Sequence, residues 1–261
     1  MHYQIVYSCI SHIGNIRNKN QDNFICNGSY METEDTDLKF PLNGTVSSKV
    51  PSLFGVFDGM GGEECGEVAS YIAAKEASST ILGKDGVICL TEYCKRANEK
   101  ICEYANNNSV SAMGTTAAML LFLKTEITLC NIGDSKIFRF ADGNLEQISK
   151  DHIAISAFGT KPPLSQNLGI PPNQLLIEPY LSRGRYKNGD KYIICSDGLT
   201  DMLTLDKIKK LSDLPSAEEI AQSLVSLALE NGGKDNVTVI LIEIKKVKNK
   251  LFNIFNRKIG G

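Results

Sequence analysis

The chain has 261 residues, 42% hydrophobic and 22% charged, with a formal net charge of −2. That balance belongs to a globular protein and excludes a disordered or fibrous one. The longest uncharged apolar run, 112–123, is too short to cross a bilayer, and no basic leader followed by an apolar core opens the chain.

The eight cysteines are scattered with no Cys-x-x-Cys pair, so they read as small buried hydrophobes in a reducing compartment, not as zinc ligands. A cytoplasmic location is expected on these grounds. Charge is uneven. Every acidic residue lies at or before Glu243, while Lys245, Lys246, Lys248, Lys250, Arg257 and Lys258 follow with no acid among them.

In chain order, 3–11 predicts a strand, 12–23 a polar turn and 24–26 a second strand. Arg17 and Asp22 lie close together in that turn. An arginine fork suits phosphate and a nearby Asp suits metal or water, though for this segment in isolation a surface ion pair is the favoured reading. Residues 27–52 are polar and acidic and read as an exposed insertion between strands. The apolar run Leu53, Phe54, Val56, Phe57 reads as a buried strand that delivers Asp58 and breaks into the Gly-rich turn 59–62. Asp58 there fits a hard cation or, equally, a helix cap.

Apolar spacing predicts helices over 63–82 and about 87–106, an antiparallel pair packed on a sheet. Strands follow at 116–123, 127–132 and 136–140 with short turns between them, as in antiparallel hairpins. Asp134 falls in one of these turns, where Asp is also common for local reasons. Residues 151–173 are proline-rich and loop-like. Strands are expected near 174–181 and at 191–195, the latter running into Ser196-Asp197-Gly198-Leu199. Helices fit 204–212 and 216–230, and a final strand fits 237–244. Gly232-Gly233-Lys234 is not a phosphate-binding P-loop, because Asp follows the lysine. Strands in the centre and helices in pairs suggest stacked sheets with helices outside.

Three apolar strands or strand edges thus present Asp58-Gly59, Asp197-Gly198 and Asp235-Asn236. Carboxylates brought together from distant strand ends suit Mg²⁺ or Mn²⁺, which take oxygen ligands and keep several waters. Two such ions can activate water and clamp a phosphoryl group.

The motifs, in order, resemble the PPM family of metal-dependent serine/threonine protein phosphatases, the type 2C class, in its bacterial-style branch. They are Gly14-x-x-Arg17-x-x-Asn20-Gln21-Asp22, Val56-Phe57-Asp58-Gly59-Met60-Gly61-Gly62, Met113-Gly114-Thr115-Thr116, Asn131-Ile132-Gly133-Asp134-Ser135, Leu168-Gly169, Cys195-Ser196-Asp197-Gly198-Leu199-x-Asp201 and Asp235-Asn236-Val237-Thr238. The resemblance implies an α+β fold, a four-layer αββα sandwich of two antiparallel sheets flanked by pairs of helices. It implies hydrolysis of phosphoserine or phosphothreonine by direct attack of a hydroxide bridging two Mn²⁺ or Mg²⁺ ions. Asp58 would bridge the metals, the Gly59 carbonyl, Asp197 and Asp235 would complete their protein ligands, and Asp22 would act through water. Asp134, with Asp197, matches a third metal position, and Arg17 would hold the substrate phosphate. Asp58, Asp197, Asp235 and Arg17 are therefore the expected catalytic set.

Three departures stand out. Gln21 replaces the usual Glu and adds no charge, so weaker metal binding is expected. Met60 stands where some members carry a proposed general-acid His, leaving that proton to a metal-bound water. The segment 151–168 is shorter than the flap of many relatives. A rival reading is a non-catalytic relative that binds metal or phosphopeptide; Gln21 favours it, and the retained carboxylates oppose it. The expected phosphatase domain is 1–245, acting as a monomer on phosphorylated proteins and not on nucleic acid. The basic tail 246–261 has Val247, Leu251, Ile254 and Phe255 at helical spacing. It reads as a docked or frayed terminus in preference to a membrane-surface or partner helix.

Overall fold

The computed structural model describes residues 2–32, 37–38, 40–61, 65–155 and 162–247. The first half runs β1 (Tyr3–His12), β2 (Asp22–Cys26), β3 (Leu42–Ser47), β4 (Ser52–Met60), α1 (Gly66–Ser78), α2 (Gly86–Asn107), β5 (Gly114–Thr115), β6 (Ala117–Leu123) and β7 (Glu126–Ile132). It continues with β8 (Lys136–Ala141), β9 (Asn144–Gln147), β10 (Tyr180–Arg185), β11 (Lys191–Cys195), α3 (Asp197–Thr200), α4 (Leu205–Leu211), α5 (Ala217–Glu230) and β12 (Val237–Lys246).

Two antiparallel sheets form the centre. One has the order β3-β1-β12-β11-β8-β9 and the other β10-β7-β6-β4-β2, with β5 paired to the end of β4. Side chains alternate across a strand, so a strand buried on both faces reads as a continuous apolar run. β4 does this: Phe54 and Val56 enter the core between the sheets, whereas Leu53 and Phe57 enter the core beneath α1 and α2. β12 repeats the pattern, with Ile240, Ile242 and Ile244 facing the other sheet and Val239 and Leu241 facing α5. Each such side chain contributes roughly 1.5–3 kcal/mol on full burial. Phe122 ties the inter-sheet core together, its ring edge-on to Phe54 at 5.8 Å and to Tyr192 at 5.7 Å.

Outside the sheets lie the helices. Asp85 caps α2, its side chain accepting from the Val87 and Ile88 amides, and the stripe Leu90, Tyr93, Cys94, Ala97, Ile101 faces the sheet. Ile220, Leu224 and Ala228 of α5 pack on the opposite sheet. The architecture is the expected αββα sandwich. Among the described residues, no helix is long and apolar enough to cross a membrane. All eight cysteines are free thiols, and all but the half-buried Cys65 are buried.

Several local expectations change. The segment 27–52 is not simply an exposed insertion, since it contains β3, which pairs with β1 from Cys9↔Leu42 to Gln4↔Ser47. The strand expected near 174–181 lies at Tyr180–Arg185, on the edge beside β7. Asp197 does not end a strand but opens the one-turn helix α3. The first helix stops at Ser78, short of 82. Gly62, part of the flap segment (156–161) and the tail beyond Val247 lie outside the described residues.

Candidate functional site

Three loops and strand ends meet at one edge of the sandwich. Gly14 takes φ +86°, and a Cβ there would stand 2.3 Å from the Asp235 carbonyl oxygen. Only glycine lets the 12–21 loop press this closely on the loop before β12. Two clamps hold the approach. The Asn15 amide donates to the Gly233 carbonyl at 2.7 Å. The buried Asn236 side chain accepts from the Gln21 amide at 2.8 Å and donates to the Ile13 and Lys19 carbonyls at 2.8 and 2.9 Å. Arg17 is thereby carried next to Asp235, with Nη2 donating to Oδ2 at 2.8 Å.

Asp58 is fixed from the other sheet. Its amide donates to Thr116 Oγ1 at 3.0 Å, and its carbonyl accepts from the Thr115 hydroxyl at 3.0 Å and the Thr116 amide at 2.9 Å. The Gly59 amide donates to the Gln21 carbonyl at 3.0 Å. A Cβ on Gly59 would stand 2.1 Å from the Gly66 carbonyl oxygen, so this strand end and the start of α1 touch backbone to backbone. Asp22 sits opposite Asp58 in the β2–β4 register and is buried. Its Oδ2 accepts from Ser196 Oγ at 2.7 Å, and that serine oxygen also accepts the Thr238 amide at 3.0 Å. One hydroxyl therefore links β2 of one sheet to β11 and β12 of the other.

The result is a cavity of about 1000 Å³ lined by Arg17, Asp58, Gly59, Asp197 and Asp235, with Lys19, Gln21, Met60, Lys234 and Asn236 around them. Five of the residues singled out from the sequence thus share one cavity. Asp22 and Asp134 are buried beside it without lining it, yet both act electrostatically on Asp58. Burial first, and then the charges of Asp197, Asp22, Asp134 and Asp235, push the Asp58 carboxyl well above its ordinary value. Burial likewise raises Asp22 to about 7, against the opposing hydrogen bonds from Ser196 and Thr238. The hydrogen bond to Asp235 raises Arg17 further.

Carboxylates crowded in this way are what a divalent cation neutralises. The donors are all oxygen, which suits Mg²⁺ or Mn²⁺. Among the described residues no three His, Cys, Asp or Glu side chains form a ready-made cage by themselves. Mg²⁺ in particular is held by one or two carboxylates plus waters, and a backbone carbonyl can serve as well, so an open set fits it.

Gln21 has an unexpected neighbour. Its Nε2 lies 3.3 Å from Glu67 Oε2, while Glu67 Oε1 pairs with Lys19 at 2.8 Å. Burial pulls Glu67 upward, but the Lys19 and Gln21 hydrogen bonds outweigh it and leave the carboxyl below its usual range. Glu67 is absent from the sequence motifs, and Ser196 and Asn236 stand in them without a role, because their partners are distant in sequence.

The chain is similar to known proteins over most of its length. A family profile described as protein phosphatase 2C matches residues 42–234. A serine/threonine protein phosphatase PstP from Mycobacterium tuberculosis is 32% identical over 206 residues, covering 74% of this chain and 40% of that protein. The chain thus spans well under half the length of these mycobacterial relatives. A serine/threonine phosphatase stp from Listeria welshimeri is 26% identical over 250 residues, covering 88% of this chain and 92% of its own. Among solved structures, the catalytic domain of PstP in complex with two manganese ions superposes with a TM-score of 0.76 at 27% identity, over 93% of this chain and all of that one.

Proposed function

Because the chain belongs to the protein phosphatase 2C family, we propose that it is a metal-dependent hydrolase of phosphoserine and phosphothreonine in proteins. The observation that carries this reading is the meeting of Asp58 from the end of β4, Asp197 from the start of α3 and Asp235 from the loop before β12, with Arg17, around one cavity. Asp58, Asp197, Asp235 and the Gly59 carbonyl would hold two divalent ions, with Asp22 orienting their water and Asp134 available to a third. When bound, the ions supply a water of lowered pKa and neutralise charge on the phosphoryl group. Manganese is the metal recorded in the PstP catalytic domain.

The protein's own residues do the rest. Arg17 is half exposed at the cavity mouth, where its fork can grip two oxygens of a phosphate dianion. Ser196 donates to Asp22 and the Asn236 backbone amide donates to Asp235 Oδ1 at 2.9 Å, which orients both carboxylates before anything binds. Met60 lines the cavity with an aprotic thioether, which supplies no proton to the leaving alkoxide. The phosphatase unit runs one residue past the expected 1–245, because Lys246 still belongs to β12 opposite Tyr3; a basic appendage follows it, and the unit acts as a cytoplasmic monomer on phosphoproteins. The eight free thiols support a reducing compartment. Phosphate release from a phosphothreonine peptide, measured with Mn²⁺ and then with chelator, tests the reading. Turnover that ignores the chelator contradicts it.

A further inference from the structure

A second cavity of about 540 Å³ opens beside the first and shares two of its walls, Met60 and Gly61. The two differ in character. Asp58, Asp197, Asp235, Arg17, Lys19 and Lys234 make the first strongly charged, whereas among the described residues none that lines the second is charged. Ala105, Val110, Ala112, Ile170 and Pro171 supply aliphatic surface, and the amides of Asn106 and Gln174 supply neutral hydrogen-bonding groups.

The walls are built in advance. Asn98, buried on α2, accepts from the Gly169 and Ile170 amides at 2.7 and 3.0 Å and donates to the Ile170 carbonyl at 2.9 Å. Thr115 and Leu168 exchange backbone hydrogen bonds at 3.0 and 2.9 Å. Gly169 holds φ +104°, with the Met113 carbonyl oxygen only 2.5 Å from where its Cβ would stand. A groove stapled on both sides loses little freedom when it is filled.

Resting on the phosphatase reading above, we propose that this groove is a specificity subsite that takes the stretch of substrate next to the phosphoresidue and selects an uncharged, apolar side chain there. A phosphoresidue seated at Arg17 must lead its chain away past the cavity edge, and at Met60 and Gly61 that edge opens into a trough whose described lining carries no charge. A Lys or Glu side chain entering it would lose water and find no counter-charge among the described lining residues. An apolar one would find aliphatic surface, and the amides of Asn106 and Gln174 could meet the main chain of an extended peptide.

The test compares phosphothreonine peptides that differ only in one neighbouring residue, Leu, Lys or Glu, placed in turn on either side of the phosphothreonine. p-Nitrophenyl phosphate, which has no peptide flank, serves as the reference. Wild type is expected to favour the Leu peptide by about tenfold in kcat/KM at one of these positions. Ala112→Glu and Ser111→Glu, both at exposed lining positions, are expected to leave p-nitrophenyl phosphate turnover unchanged and to shift that preference toward Lys. Equal rates on all peptides, or a preference that neither variant moves, overturn the subsite while leaving the phosphatase reading intact. Absence of Mn²⁺-dependent turnover on p-nitrophenyl phosphate overturns the phosphatase reading, and the subsite with it.

Discussion

Arg17 Nη2 donates to Asp235 Oδ2 at 2.8 Å, which pairs the residue assigned to phosphate with a residue assigned to metal. Both are partly exposed, at 51% and 33%, so the pair is loosely held and can part when each finds its ligand. Arg17→Ala is therefore expected to raise KM for a phosphopeptide about tenfold and to change kcat far less. Steady-state kinetics at saturating Mn²⁺ measure both. An unchanged KM would remove Arg17 from phosphate binding.

The carboxylate cluster makes the metal-free protein sensitive to pH in a definite direction. Asp22, raised to about 7 by burial, stays protonated in the folded state where the unfolded chain has already lost its proton. Between about pH 4 and pH 7 the folded state binds more protons, so stability falls as pH rises through that window. Thermal unfolding in chelator is expected to show Tm falling from pH 4.5 to 7, with a flatter profile in Asp22→Asn. Saturating Mn²⁺ should reverse the trend, because it binds the ionised form.

Gln21 needs a different view from the one its sequence suggests. A neutral amide in place of Glu removes a charge, yet Glu67 lies 3.3 Å from Gln21 and keeps an acid at the site's margin. Restoring the carboxylate with Gln21→Glu would set two like charges in contact. Mn²⁺ affinity of Gln21→Glu is expected to stay within about threefold of wild type, and to tighten only in the double variant Gln21→Glu/Glu67→Gln. Calorimetric titration of the three proteins decides this; tightening in the single variant would show that Glu67 does not oppose the added charge.

Asn98 gives a test of the fold's contribution to the groove wall. Asn98→Ala removes three hydrogen bonds and leaves the Gly169 and Ile170 amides without their acceptor. A loss of about 2 kcal/mol is expected in urea unfolding. A loss under about 0.5 kcal/mol would mean the 167–171 loop holds its course without the staple.

The sandwich and most of the site are legible in the sequence because they rest on short-range signals. β4 and β12 announce themselves by apolar runs buried on both faces, and Asp58, Asp197 and Asp235 by their place at the ends of such runs. β3 is not legible: Leu42–Ser47 mixes Gly, Asn and Ser on a sheet edge, where one face meets solvent and the apolar period is broken. β10 is displaced for the same reason, with Arg183, Gly184 and Arg185 on an exposed edge. The residues that fix the geometry, Ser196 on Asp22 and Asn236 on the 13–21 loop, act across 174 and more than 200 residues. No local pattern encodes such pairs.

The carboxylates gathered at one edge of the sandwich, with Asp58 at their centre, are proposed to carry out metal-dependent phosphate hydrolysis. The direct measurement is Mn²⁺-dependent hydrolysis of a phosphothreonine peptide by wild type and Asp58→Asn, with circular dichroism to show that both are folded. Wild type should turn over, and Asp58→Asn should lose at least about a hundredfold in kcat/KM. Equal activity in the two proteins would contradict a metal-dependent role for Asp58.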